Sequence, residues 1–282
     1  MADSQTKFQQ FFLTRFNILL WQKDKEGAPV RTKKWLDHRF QLFEKYCFPS
    51  IMNQTCQDFE WIVLFDSMTP DSFKERIACY QKDCPQMIPV FVEPENGFRF
   101  AEIFKNEIAK RLKSKRVIST YLDNDDALSV AFVEDLQRRA LSASNGTFFY
   151  YDEGYQYYTE GQYMMQIHYP RNHFVSVVEN ASAARGVFSY GGHYYIDNIK
   201  GVHIVHVSDK SMWCEVVHEK NILNDANFIL HTKMVKDEVR LRQEFAIDET
   251  VRYGMGIYLC KFLPRYIKTF GRRAKRFIDR KS

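Results

Sequence analysis

The densest chemistry in this sequence sits in the eight residues 121–128, YLDNDDAL, where Asp123, Asp125 and Asp126 put three carboxylates within four positions. They follow directly on the apolar run RVISTY, and that much negative charge at the end of a buried segment is costly unless a cation or hydrogen-bond donors compensate it. Asp123 and Asp125, two residues apart at a strand end, can aim at one point, with Asp126 on the following turn. Hard carboxylate oxygens of this kind suit Mg or Mn, and a nucleotide diphosphate supplies further oxygen ligands. An ion held there stabilises charge developing on a leaving diphosphate. The competing reading is a solvated acidic loop that caps the next helix.

Other polar groups fall into the same pattern. Thr14-Arg15 with Asn17, and Asp66-Ser67, each follow an apolar run, as the acidic cluster does. Histidines are the next candidates. His218 in WCEVVHEKN is a plausible third ligand beside two carboxylates, or else a hydrogen-bonded core histidine. His193 in GGHYY reads more readily as a loop residue. The chain has no GxxxxGK[ST] and no GxGxxG that opens a helix after a strand, so the glycine-rich phosphate loops are excluded.

The elements that must position these groups alternate. Residues 8–20 read as a strand entering a loop. Residues 33–53 read as a helix, with Trp35, Leu36, Phe40, Phe43 and Cys47 at helical spacing. EWIVLFD (60–66), IPVFVE (88–93) and RVISTYLD (116–123) are short apolar runs of the kind that form buried parallel strands. TPDSFKERIACYQ and FAEIFKNEIAKRLKSK are helices between them, the first with Thr69 as its cap and Pro70 at its first turn. This order predicts an α/β fold with a mostly parallel sheet covered by helices on both faces, and ligands beyond the carboxyl ends of the strands. All three polar clusters fall at such ends. Farther on, SVAFVEDLQRRALSA reads as a helix, 147–168 as aromatic hairpins, and HFVSVVENA and SMWCEVVHEKNI as helical stretches.

The chain of 282 residues has 45% hydrophobic residues and 16% aromatics, which permits a substantial core and excludes wholesale disorder. No apolar run reaches the roughly 18 residues of a membrane span, and the N-terminus does not read as a signal peptide. The six cysteines form no CxxC, so free thiols and a cytoplasmic setting are expected. The net charge of +5 is unevenly spread: residues 251–282 hold ten Lys/Arg against one acid, whereas residues 1–250 hold thirty against thirty-four. Two units follow, a body over 1–250 and a basic extension over 251–282. In the extension Tyr266, Ile267, Phe270, Ala274, Phe277 and Ile278 recur at helical spacing, which predicts a basic amphipathic C-terminal helix suited to an anionic membrane surface or packed on the body with a solvated face. Nucleic acid is not an expected partner of a body with this charge.

The ordered set of segments resembles inverting nucleotide-sugar glycosyltransferases of the GT-A fold, and more narrowly the rhamnosyltransferase family. The pieces that carry the resemblance are FLTRFNI, WLDHRFQLFEKYCFPSI, WIVLFDSMTP, LDNDDAL with FVEDLQ, NHFVSVVE and MWCEVVHEKN, together spanning about residues 10–225. The resemblance implies metal-assisted transfer of a sugar, rhamnose by the family's name, from a nucleotide-diphosphate donor to a glycan or lipid-linked acceptor. It implies that Thr14 and Arg15 line the nucleotide pocket, that Asp66 accepts hydrogen bonds from the base, that Asp123 contacts ribose or metal, and that Asp125 binds the metal. The chain departs from the family's pattern in having the single acid Asp66 at the second strand's turn and Tyr121 before the signature leucine. No "E-D" catalytic pair is recognisable. The acid/base carboxylate is therefore sought among Glu179, Asp152 and Glu153, with Glu215 the least supported. The rival readings are a metal-dependent phosphotransferase, disfavoured because its nucleophilic Asp usually ends the first strand, and a non-catalytic membrane-surface or sugar-nucleotide binding protein.

Overall fold

A computed structural model of the chain describes residues 8–23, 27, 29–218 and 231–257, and single positions between 259 and 271. Strand β1 (Gln9–Arg15) leads to helix α1 (Lys33–Leu42), which passes through a π-helical turn at Phe43–Cys47 into α2 (Phe48–Met52). Next come β2 (Glu60–Asp66), α3 (Asp71–Asp83), β3 (Met87–Val92), α4 (Phe100–Ala109) and β4 (Arg116–Tyr121). The second half contains β5 (Ala127–Leu128), α5 (Phe132–Ala140), β6 (Thr147–Tyr158), β7 (Tyr163–His168), β8 (Ser176–Asn180), β9 (His203–Val217), β10 (His231–Val235) and α6 (Glu238–Phe245).

The expected α/β class is the one observed. β1–β4 are parallel, in the order β3-β2-β1-β4. β1, β2 and β4 are buried along most of their length because both faces are covered, whereas the edge strand β3 leaves Phe91 exposed. Phe12, Trp61, Val63 and Phe65 enter one layer beneath α1, α2, α3 and α5, where Leu36, Phe40, Phe43, Phe73, Ile77 and Leu136 meet them. Phe11, Leu13, Ile62 and Leu64 enter the other, against Phe104 and Ile108 of α4 and Val187 and Ile196 of the irregular segment after β8. α1 starts where Thr32 caps it, its hydroxyl accepting from the Trp35 amide at 3.3 Å.

Beyond β4 the sheet becomes mixed. β8 pairs antiparallel with β4, β6 antiparallel with β8 and β7, β10 antiparallel with β7, while β9 runs parallel to β6 and antiparallel to β5. Two segments expected as helices are strands here. Ser176–Asn180 of HFVSVVENA is β8, held between β4 and β6, and Met212–Val217 of SMWCEVVHEKNI lies in β9. Both are short apolar runs whose period does not separate strand from helix, and pairing partners on either side decided the outcome. At α3 the helix begins at Asp71 after Pro70, and Thr69 does not cap it: its hydroxyl donates to the Asp66 carbonyl at 2.7 Å. The helix expected over 100–115 ends at Ala109. All six cysteines are free, and among the described residues no helix is long and apolar enough to cross a membrane. Most of the basic helix expected in the C-terminal extension lies outside the described residues.

The β6–β9 pairing fixes much of the second half, and one glycine makes its closest approach possible. The indole of Trp213 lies on Gly154 of β6, where a Cβ would overlap the ring, and its Nε1 donates to the Tyr151 carbonyl at 2.6 Å. The Gly154→Ala variant is expected to lose about 1–3 kcal/mol of stability, or more if the indole cannot move, read as a lower urea midpoint at unchanged m-value.

Candidate functional site

The three polar clusters meet at the carboxyl ends of β1, β2 and β4, as the alternation requires. Register sets the meeting: Leu13 lies opposite Tyr121 and Arg15 opposite Leu64, so the residues that follow emerge side by side. Side chains then lock the ends together. Asn124 donates to the Phe16 carbonyl at 2.8 Å, and Asn17 accepts from the Asp66 amide at 3.0 Å while donating to Thr69 Oγ1 at 2.9 Å. A cavity of about 460 Å³ opens over these ends. Arg15, Asp123, Asp125, Asp126, His173 and Glu215 all face it.

Each acid of the cluster has its own partners. Asp123 accepts from Tyr121 Oη at 2.6 Å and lies 3.7 Å from Arg15, whose guanidinium also donates to Tyr121 Oη at 2.7 Å. Phe100 and Phe188 flank that guanidinium, with ring centroids at 4.9 and 5.0 Å. Asp125 turns toward α1, where Arg39 Nη1 lies 2.7 Å away and His218 Nε2 2.9 Å away. Burial opposes the charged form of Asp125, but Arg39 and His218 outweigh it and hold the carboxyl below the usual carboxylate range. Asp126 turns the other way, accepting from the Val216 amide of β9 at 2.8 Å through Oδ1 and facing His173 Nε2 at 2.8 Å through Oδ2. Burial pushes the Asp126 carboxyl up, and Asp126 raises His173 against that residue's own burial.

One oxygen or nitrogen from each of Asp123, Asp126 and His173 lies within 4.8 Å of the others. Two carboxylates and an imidazole suit Mn, and Mg less well, so the donor chemistry fits a divalent ion. The set differs from the expected Asp123, Asp125 and His218: Asp125 pairs with both His218 and Arg39, which leaves Asp126 and His173 beside Asp123. His173 escapes notice in the sequence because it stands 47 residues from Asp126, and only the placement of β8 beside β4 brings them together.

The remaining expected residues divide. Arg15 faces the cavity; Thr14 does not, because its hydroxyl points into the core and accepts from Trp61 Nε1 at 2.9 Å. Asp66 lies on a neighbouring cavity of about 430 Å³ with Asn17 and Thr69, and its Oδ2 stands 2.6 Å from Arg31 Nη2. Arg31 lines both cavities. Of the acid/base candidates, Asp152 is bound to His206 Nδ1 at 2.7 Å and Ser208 Oγ at 2.8 Å, and Glu153 to His168 Nδ1 at 2.7 Å; neither lines the cavity. Glu179 is 2% exposed and lies opposite Val117, at the far end of β4 from the acidic cluster. It accepts from the amides of Arg185 and Gly186 and from Tyr190 Oη, each at 2.9 Å, and so anchors the segment after β8. Glu215, the candidate with least sequence support, is the one facing the cavity; burial raises its pKa, and Gln156 Nε2 donates to it at 2.5 Å. His193 also lines the cavity, and burial together with the charge on His173 pushes it down to about 3.

Fold and site together put the chain among α/β proteins that hold a ligand beyond the carboxyl ends of parallel strands. A family model described as "Putative rhamnosyl transferase" matches residues 9–228, and the chain belongs to that family. The crystal structure of residues 1–349 of TarS from S. aureus is similar at a TM-score of 0.42 and 10% identity, over 74% of this chain and 60% of that one. This chain thus spans less than two thirds of that protein's length. No curated protein matches the sequence.

If Glu179 is an anchor, Glu179→Ala leaves the Arg185 and Gly186 amides without their acceptor at about 1–3 kcal/mol each. The expected outcome is a lower unfolding midpoint, while the folded fraction keeps its ligand affinity by calorimetry. Unchanged stability would remove the anchoring role.

Proposed function

We propose that this protein is a glycosyltransferase that moves a sugar, rhamnose by the family's description, from a nucleotide-diphosphate donor to a hydroxyl of a glycan or lipid-linked acceptor, with inversion. The observation that carries this reading is the convergence of Asp123, Asp126, His173, Arg15 and Glu215 on one cavity beyond the parallel strands. Asp123, Asp126 and His173 would hold Mg or Mn, which supplies stabilisation of the charge left on the departing diphosphate. Arg15 and Arg31 add positive charge on the same wall, and Arg31 reaches the adjoining cavity where Asn17 and Asp66 would receive the base.

Inverting transfer needs a carboxylate that takes the acceptor proton as its oxygen attacks the anomeric carbon. Glu215 fills that role in this reading: it is buried, faces the cavity, and is positioned by Gln156. Its raised pKa favours holding the abstracted proton until product leaves. The mouth of the cavity is aromatic. Trp21 and Tyr194 line it at 56% and 54% exposure, and Tyr169 donates to Tyr194 at 3.1 Å. Such rings suit the CH faces of an acceptor sugar.

Release of nucleotide from a panel of sugar nucleotides, with manganese or with a chelator, tests this reading. Turnover is expected only with the metal. Glu215→Gln should lower kcat by about 10²–10⁴-fold with donor KM little changed. Asp126→Asn should weaken manganese binding, followed by calorimetry, about tenfold or more. No binding or turnover with any donor in the presence of manganese would sink the reading. Products in which phosphate, rather than sugar, has moved would favour the phosphotransferase.

A further inference from the structure

The body holds on to the chain as far as Ile257. Val251 packs in the apolar cluster of Leu241 and Phe245, and Ile257 against that of Tyr158, Tyr163 and Val217. Past that point, among the described residues, Leu263 is half-buried and three other large apolar side chains are exposed. Leu259 is 49% exposed, Ile267 61% and Phe270 60%, although the backbone at Ile267 and Phe270 is helical. Large apolar side chains left in water on a helix need a partner.

By sequence spacing, Tyr266, Ala274, Phe277 and Ile278 fall on the same side of a helix as Ile267 and Phe270, an arc of about a third of the circumference. Most of the ten Lys/Arg of residues 251–282 fall on the remainder, with Asp279 the one acid. The pattern pairs a stripe that seeks an apolar phase with flanks that seek negative charge. From it we propose that the C-terminal extension docks on an anionic lipid bilayer, apolar stripe inward and Lys/Arg among the headgroups. A nucleic acid would satisfy the charges and leave Ile267 and Phe270 wet. A second copy would set ten cations against ten cations, since it brings the same single acid. A bilayer carrying anionic headgroups satisfies both features at once. The inference is independent of the glycosyl-transfer reading, because it rests on Ile267, Phe270 and the charge of the extension, and neither Ile267 nor Phe270 lines the cavity over the acidic cluster.

The test is co-sedimentation of the full chain with vesicles of phosphatidylcholine alone and of phosphatidylcholine with about one third phosphatidylglycerol. Partitioning onto the anionic vesicles is expected to exceed that onto neutral ones about tenfold or more, and to fall as salt rises toward about 1 M, where charges are screened within about 3 Å. Ile267→Glu with Phe270→Glu should lose about tenfold or more of that binding, as should Arg272→Gln with Arg273→Gln and Arg276→Gln. Unchanged circular dichroism and an unchanged unfolding midpoint in both variants would show the body intact. Equal partitioning onto both vesicles, or a Glu pair that sediments like the parent, overturns the proposal. So does tighter binding to duplex DNA than to anionic vesicles, or a dimer by light scattering that the Glu pair abolishes with no vesicle binding in the parent.

Discussion

Three carboxylates at the end of a buried strand are the constraint around which this molecule is arranged. Charge in a low-dielectric interior is tolerated only where donors and opposite charges surround it. Each acid accordingly recruits a different part of the chain: Asp123 takes Arg15 of β1 through Tyr121, Asp125 takes Arg39 of α1 and His218, and Asp126 takes His173 and the backbone of β9. The acidic loop is thereby the junction of β1, α1, β8 and β9. Asn124, the uncharged member of the run, closes the remaining gap by holding the carbonyl of Phe16.

Two halves of the sheet share the work. The parallel half supplies a fixed rim: the ends of β1 and β2, stitched by Asn17 and Thr69, and the end of β4, tied to β1 by Asn124. The mixed half brings side chains that face the cavity across from that rim, His173 just ahead of β8 and Glu215 within β9. β5, two residues long, couples the halves by pairing Ala127 and Leu128 with Cys214 and Trp213 immediately after the acids. Small as it is, this pairing fixes how the acidic loop faces β9.

The parallel half is legible in the sequence because its signals are local. Apolar runs ending in polar or charged residues, separated by helical periodicity, place Arg15, Asp66 and Asp123 at strand ends without knowledge of anything distant. The antiparallel half is not legible in this way. SVVEN and MWCEVV satisfy either period, and their neighbours in the sheet, not their own composition, make them strands. The same limit governs the site. That Asp125 faces Arg39 while Asp126 faces His173 is a choice made by partners 86 and 47 residues away. Thr14 and Glu179 illustrate the converse error: polar residues beside apolar runs that are needed inside, one by the Trp61 indole and one by three donors on the segment after β8.

The pairing of β6 with β9 shifts register twice, between Tyr151 and Glu153 and again between Glu153 and Tyr155, before Gln156 comes to lie opposite Glu215. Because successive side chains of a strand point to opposite faces, this count works as a parity setting. Losing or gaining one residue at those irregularities would bring Cys214 or Val216 opposite Gln156 and turn the carboxylate toward the apolar cluster of Tyr155, Tyr157 and Leu241. A change of length by one residue is therefore ruinous inside this ladder, although residues 151–155 themselves do not line the cavity.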